Sequence, residues 1–300
     1  MTPSPSGFSA DWLRLREPLD AAARSPDLAS RFVSAVSARP AMREARPLRI
    51  VDLAAGTGAN FRVLAPLIGG DQDWRLVDHD QSLLEAQASA IGRWASAAGW
   101  HCQHSEAGVT VHVDGARWQV RAQALNLQQS LDRLDLHGVD GITTTAFLDL
   151  VSAEWMERLS SLLVRAGLPL LATLTVDGRR AWQPALPVDM QLHQAFQNHQ
   201  SGDKGFGPAL GPLAADLLAR CLAARGCETM IARSDWRIGA GHPGLLRQLV
   251  DESAGVAGET SPSAVALFAE WSAQRHAQID GGLLTLSVGH LDLLALQGAR

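Results

Sequence analysis

The chain has no tyrosine, and of its 26 lysines plus arginines only one, Lys204, is a lysine. A bias that runs through the whole chain says little at any single position, but the lone lysine invites a question about its own place. Cysteine is scarce too. Cys102, Cys221 and Cys227 are odd in number and show no CxxC spacing, which excludes a disulfide framework and points to a reducing compartment. No apolar run approaches the roughly 18 residues needed to cross a bilayer. The opening MTPSPSGFSADWLRLREPLD lacks the apolar core of a secretory signal, so a cytoplasmic location is expected, with no membrane partner. Excess positive charge is also missing. The formal net charge is −5 and the pI about 6.0, which disfavours a nucleic-acid partner. No internal repeat or low-complexity tract is present. What remains is 46% hydrophobic and 19% charged, enough for a sizeable core.

Residues 9–38 read as two helices split at Ser25-Pro26, with apolar residues at three- and four-residue spacing. LRIVDLAAGTGAN follows, an apolar run (Leu48 to Leu53) and then small residues, and FRVLAPLI is helix-like. WRLVDHD is a short strand ending in acids, after which Ser82 and Glu85 suggest a capping box for a helix through Ala98. VTVHVDGARWQVRAQAL reads as a hairpin about Asp114-Gly115. DGITTTAFLDLV is a strand followed by a helix that closes at Gly167. LPLLATLTV has the continuous apolar character of a strand buried on both faces, and CETMIARSDWRI and LLTLSVGHLDLLAL are the last strand candidates. Alternating strands and helices predict an α/β fold: a doubly wound, mostly parallel seven-stranded sheet with helices on both faces and an antiparallel last strand. Residues 1–45 are expected to form an N-terminal helical cap. Residues 46–300 would form the main domain, with insertions at about 179–208 and 243–280. Ligands of such sheets sit at the carboxyl ends of the strands, where the strand order reverses.

The loop after the first strand carries the chemistry. In Asp52-Leu-Ala-Ala-Gly-Thr-Gly-Ala-Asn60, Gly56 and Gly58 allow close backbone approach, and the next helix offers unpaired N–H groups to an anion. Asp78 ends the second strand, where an acid can accept from ribose hydroxyls. A dinucleotide fingerprint would need a third glycine where Phe61 stands. The stretch IVDLAAGTGANFRVLAP…WRLVDHDQSLLEAQ instead resembles the class I S-adenosylmethionine-dependent methyltransferases, over roughly residues 45–180. The resemblance implies S-adenosyl-L-methionine as cofactor. It implies Asp52 toward the methionine part, Gly56, Thr57 and Gly58 as the loop beneath it, Asp78 on the ribose, His79 beside the adenine and Asn126 near the adenine amine. Ala54 stands where that family often has a first glycine, and it fits if its φ is negative.

Methyl transfer is an in-line displacement for which a protein chiefly supplies alignment and sometimes a base. TTTAFLDLVSAEW lacks the Asn-Pro-Pro-aromatic tetrad of many nitrogen methylases. Asp149 in that stretch is a candidate base, or an acid stabilising the following helix. The segment Arg179 to Pro208 exceeds an ordinary connection and reads as a lid over the acceptor. Within it Lys204 is a candidate anion-binding group, and His193 or His199 a candidate base, with Asp189 and Asp203 nearby. Trp182 and Trp236 would stack on an aromatic acceptor or lie in the core, and Cys221, at helical spacing with Leu210, Leu213 and Leu217, reads as core. His101, Cys102, His104 and His112 lack the spacing of a zinc site, and no metal is expected. The expected activity is methyl transfer to an oxygen or nitrogen of a small polar metabolite, with a homodimer left open. Alternatives are an NAD(P)-dependent oxidoreductase, disfavoured by Phe61, and a non-catalytic relative that binds the cofactor.

Overall fold

The computed structural model describes residues 8–38 and 46–298. Two N-terminal helices, α1 (Ala10–Ala23) and α2 (Pro26–Ser37), precede the sheet, each started by a serine, Ser9 or Ser25, whose side chain accepts from a first-turn N–H. The first strand, β1 (Leu48–Leu53), leads through the glycine loop to α3 (Ala59–Ile68), and β2 (Gln72–Asp78) leads to α4 (Gln81–Ala97). The cap of α4 differs from the expected Ser82–Glu85 box: Asp80 is the N-cap, and its side chain accepts from the Ser82 N–H. The hairpin about Asp114-Gly115 is present as β4 (Gly108–Val113) and β5 (Ala116–Ala124), extended by an unexpected edge strand, β3 (His101–Ser105). A short α5 (Leu127–Ser130) follows, then β6 (Gly141–Thr145), α6 (Ala153–Ala166) and β7 (Leu170–Gln183). The remainder is α7 (Asp189–Gln200), α8 (Ala214–Ala223), β8 (Cys227–Arg233), β9 (Trp236–Ile238), α9 (Pro243–Thr260), α10 (Val265–Asp280) and β10 (Thr285–Gln297).

The strands join in one sheet, in the order β3-β4-β5-β2-β1-β6-β7-β10-β8, with β9 on β10. Neighbours from β5 to β7 pair in parallel, while β10 runs antiparallel to both β7 and β8. The expected doubly wound sheet with a reversed last strand is therefore present, with ten strands among the described residues instead of seven. Beyond seven are the edge strand β3, the short β9 and the hairpin counted as two strands, β4 and β5. Strand order reverses between β1 and β6, so the crevice of this fold opens beside the loop after β1.

Two apolar layers cover the sheet. One packs α2, α3 and α4 through Phe32, Phe61, Leu64 and Ile91, and the other packs α5, α6 and α8 through Leu127, Trp155, Leu159 and Leu218. Phe61, at the third-glycine position of a dinucleotide fingerprint, is fully buried, edge-on to Trp74, Trp94 and Trp118. The helix thus stands off the sheet by an aromatic ring, where a close dinucleotide turn needs glycine.

A third core lies beyond the carboxyl ends of the strands. β7 and β10 are long enough (14 and 13 residues) to project past the sheet. Their overhang, β9, and helices α1, α7, α9 and α10 enclose Leu19, Trp182, Leu192, Trp236, Leu246 and Trp271. The segment expected as a lid from 179 therefore begins later: Arg179–Gln183 are strand, and α7 is a packed helix. The tryptophan pair, Trp182 and Trp236, is core. So is Cys221, whose thiol donates to Glu157. Among the described residues no helix is long and apolar enough to cross a membrane.

Candidate functional site

The turn after β1 is shaped by backbone conformation. Gly56 and Gly58 have φ of +53° and +85°, and Ala54 has φ of +50°. Ala54 thus departs from the negative φ that would suit alanine, at a cost of roughly 1–2 kcal/mol. Ala146, just after β6, and Leu174, within β7, are also left-handed. Ala54 and Ala146 thus follow the carboxyl ends of β1 and β6, and Leu174 lies one residue past the part of β7 that pairs with β6; strain of this kind collects at binding sites. The Leu174 N–H is held by Asp292, whose other oxygen accepts from Ser25 at the start of α2.

Asp52 is fully buried below the turn. Its Oδ1 accepts from Asn60 Nδ2 and Thr143 Oγ1, both at 2.7 Å, while Oδ2 has no partner. Burial pushes its pKa up to about 6, against the pull of those two hydrogen bonds and of Arg24. Arg24, at the end of α1, is itself buried. It donates to Asn60 Oδ1, to Thr173 Oγ1 (2.9 Å) and to Thr145 Oγ1 (3.3 Å), and Asp20, Asp52 and Asp292 balance its charge. Neither Arg24 nor Asn60 was singled out from sequence. Asn60 lay inside the quoted motif, whereas nothing local in REPLDAAAR marks Arg24 as buried.

Asp78 lies at the end of β2 as expected, and Gly56 N–H donates to its Oδ2 at 2.8 Å. Its Oδ1 accepts from the N–H groups of His79 and Asp80. The exposed His79 ring reaches Asp78 at 3.6 Å. Thr57 is buried, and its carbonyl accepts from Arg62 at 2.6 Å. Asn126 is exposed and caps α5 by accepting from Gln128 and Gln129, so its side chain is engaged by its own helix.

Helix α1 lies over the turn. A Cβ at Gly56 would come within 2.9 Å of Leu13 Cδ1, and Glu17 clamps Arg62 through two bonds of 2.6 and 2.7 Å. The cleft left between α1, α4 and Thr57 holds about 120 Å³, below the 300–1,000 Å³ of ordinary ligand pockets.

Asp149 sits in the 3-10 turn Leu148–Leu150 after β6, buried, with Oδ1 unpartnered. Burial raises its pKa to about 6. Ser152, not Asp149, caps α6. His290 on β10 is held neutral, its pKa lowered by burial to about 4, and its ring lies 5.0 Å from Trp236.

Among the described residues, the side-chain contacts of Lys204 and His199 are with each other and with α9, none with Asp52 or Asp149. Lys204 is exposed, with Nζ 3.4 Å from His199 Nδ1, and His199 lies 3.9 Å from Glu259 at the far end of α9. Their loop is held by Asp203, which accepts from the N–H groups of Gly205 and Gly207. Phe206 of this loop reaches inward, edge-on to Phe147 and Trp155, and Gly207 lies against Ser152. The lone lysine therefore ornaments a surface loop. Asp189 is structural, bound to Arg275 and Trp271. His101, Cys102, His104 and His112 lie on β3 and β4, and among the described residues no group of three or more His, Cys, Asp or Glu is placed to hold a metal ion.

No family model matches the chain, and no curated protein does. Solved structures that resemble it include the cyclopropane synthase MmaA2 from Mycobacterium tuberculosis, with 11% identity and TM-score 0.47 over 97% of this chain and 95% of that one. Another is an S-adenosylmethionine-dependent methyltransferase from Thiobacillus denitrificans in complex with S-adenosyl-L-homocysteine, with 16% identity and TM-score 0.41 over 96% and 98%. The [4+2]-cyclase SpnF matches with 14% identity and TM-score 0.37 over 99% and 97%. Similarity this distant carries no argument about activity, which rests on the residues themselves.

Proposed function

We propose that the chain is an S-adenosylmethionine-dependent methyltransferase acting on an oxygen or nitrogen of a small polar molecule. The observation that carries this reading is Asp52: a buried carboxylate with one free oxygen, under a left-handed turn of small residues, at the switch point of the sheet. A buried anion with a vacant lone pair suits a cationic ligand group, and the ammonium of the cofactor's methionine part is one. Gly56 and Gly58 supply the close backbone approach, and Asp78 stands at the next strand end, where a ribose would lie. When bound, the cofactor supplies an activated methyl group on a sulfonium.

The chain's own residues have definite tasks in this reading. Asp52 neutralises the ligand's positive charge, and Arg24, through Asn60, fixes the carboxylate's orientation. Helix α1 excludes water once closed. Asp149, with a pKa of about 6 and a free oxygen, is ionised at pH 7 and able to take the proton that an acceptor hydroxyl or ammonium gives up. Replacing it, Asp149→Asn, is expected to slow turnover by about 100-fold or more while leaving S-adenosylhomocysteine affinity unchanged.

Incubation with radiolabelled S-adenosylmethionine and a fractionated cell extract tests the activity. Label is expected in the low-molecular-weight fraction, with stoichiometric S-adenosylhomocysteine. Label confined to protein or nucleic acid, or none at all with NADH consumed instead, contradicts the proposal.

A further inference from the structure

The third core contains two enclosed guanidinium groups, and they differ. Arg275 has its anion: it bonds Asp189 at 2.5 Å, the Pro184 carbonyl at 2.6 Å and Gln278 at 2.7 Å, although its Nε, too, is enclosed without a partner. Arg180, on the overhang of β7, lies against the rings of Phe196 and Trp182, 4.8 and 5.1 Å from their centroids. Its Nη2 donates to Ser253 Oγ at 2.8 Å, but its Nε is shut off from solvent with no partner, and among the described residues it forms no ion pair. The nearest acid is Glu252, whose own pKa is raised by burial. Two further enclosed nitrogens nearby have no partner, Trp182 Nε1 and His193 Nδ1.

An enclosed guanidinium stays protonated, and leaving it without an anion is costly. Natural cores rarely leave several neighbouring polar atoms unmet. The missing component is an acceptor of negative charge. We infer that Arg180 forms, with Trp182 and His193, a subsite for a carboxylate group carried by the molecule to be methylated. One charge is what the subsite balances. The His193 pKa is lowered by burial and by Arg180, so that ring is neutral near pH 7, and Glu252 disfavours a dianion. The Nε edge of Arg180, with the second hydrogen of the Nη2 that also bonds Ser253, matches the two oxygens of a carboxylate. β7 connects this subsite to the crevice. Thr173 bonds Arg24, the N–H of Val176 faces Asp149, and Arg180 follows four residues later, up to about 13 Å along the strand. The acceptor would thus carry its carboxylate well away from the atom that is methylated. The inference about the acceptor rests on the methyltransferase reading, whereas the anion subsite can be tested without it.

The test is thermal unfolding of the full chain in sodium acetate against sodium chloride at equal ionic strength, with acetamide as the neutral control, for the native chain, Arg180→Met and Arg180→Lys. Acetate is expected to raise the Tm of the native chain, with acetamide inert. Arg180→Met should lose the acetate response, and Arg180→Lys, which cannot bind through two nitrogens, should need about tenfold more acetate for the same shift. Should Arg180→Met fail to fold, the lysine variant alone decides. An acetate response absent from the native chain, or unchanged in the variants, overturns the subsite. S-adenosylhomocysteine is titrated in parallel. If it fails to bind while acetate still reads out Arg180, the methyltransferase reading falls and the anion site stands; if it binds and acetate does not, the reverse holds.

Discussion

At the scale of the residue, the site is built from groups held in unfavourable states. Asp52 has its pKa raised from an ordinary 3.8 to about 6 by burial. For an acid raised in the folded state, the native protein holds the extra proton between those two values. Stability therefore falls as pH rises from about 4 to about 6, by roughly 3 kcal/mol in all, and the cost is fully present above pH 6. Asp52→Asn is accordingly expected to raise stability at pH 7.5 by about 1–3 kcal/mol, in denaturant unfolding, while weakening cofactor binding. A destabilised Asp52→Asn would show that the carboxylate is there to hold Asn60 and Thr143. Ala54 offers a second check. Its φ of +50° suits glycine, so Ala54→Gly should stabilise the protein by about 1 kcal/mol, measured in the same way.

At the scale of the element, α1 packs over the turn after β1. It rests on the turn through Leu13 and is fastened by Glu17 to Arg62, whose side chain is almost wholly buried. A partly buried, two-bond ion pair of this kind contributes about 1–2 kcal/mol. Glu17→Gln should therefore raise the open population of α1 by about tenfold, visible as faster amide hydrogen exchange across residues 10–23 and faster association of S-adenosylhomocysteine. Unchanged exchange would mean that apolar packing alone holds the helix. Helix α7 behaves differently from the flexible lid its composition suggested. Leu192 and Ala195 are buried in the third core, and Asp189 at its first turn is bound by Arg275 and Trp271.

At the scale of the whole molecule, the sheet and the glycine loop after β1 were legible in the sequence because their signals are local. An apolar run ends in Asp52, two glycines follow, and an acid closes the next strand. Strand count and site composition beyond the loop were not. β3 is polar and mostly exposed, with no apolar alternation to announce it. The third core is assembled from α1, β7, α7 and α9, so Arg24 and Arg180 look like any other arginine in an arginine-rich chain until the fold buries them. Lys204, rare by composition, drew attention that its position does not support. Rarity reflects the whole chain's usage, and Lys204 has none of the burial that marks Arg24 and Arg180. The most direct test of the central claim is calorimetric titration of S-adenosylhomocysteine at pH 7 and pH 5. With Asp52 titrating near 6, the native chain should bind about tenfold more weakly at pH 5, and Asp52→Asn should bind weakly at both. No binding at either pH, or equal affinity at both in the native chain, would contradict the assignment of this turn to the cofactor.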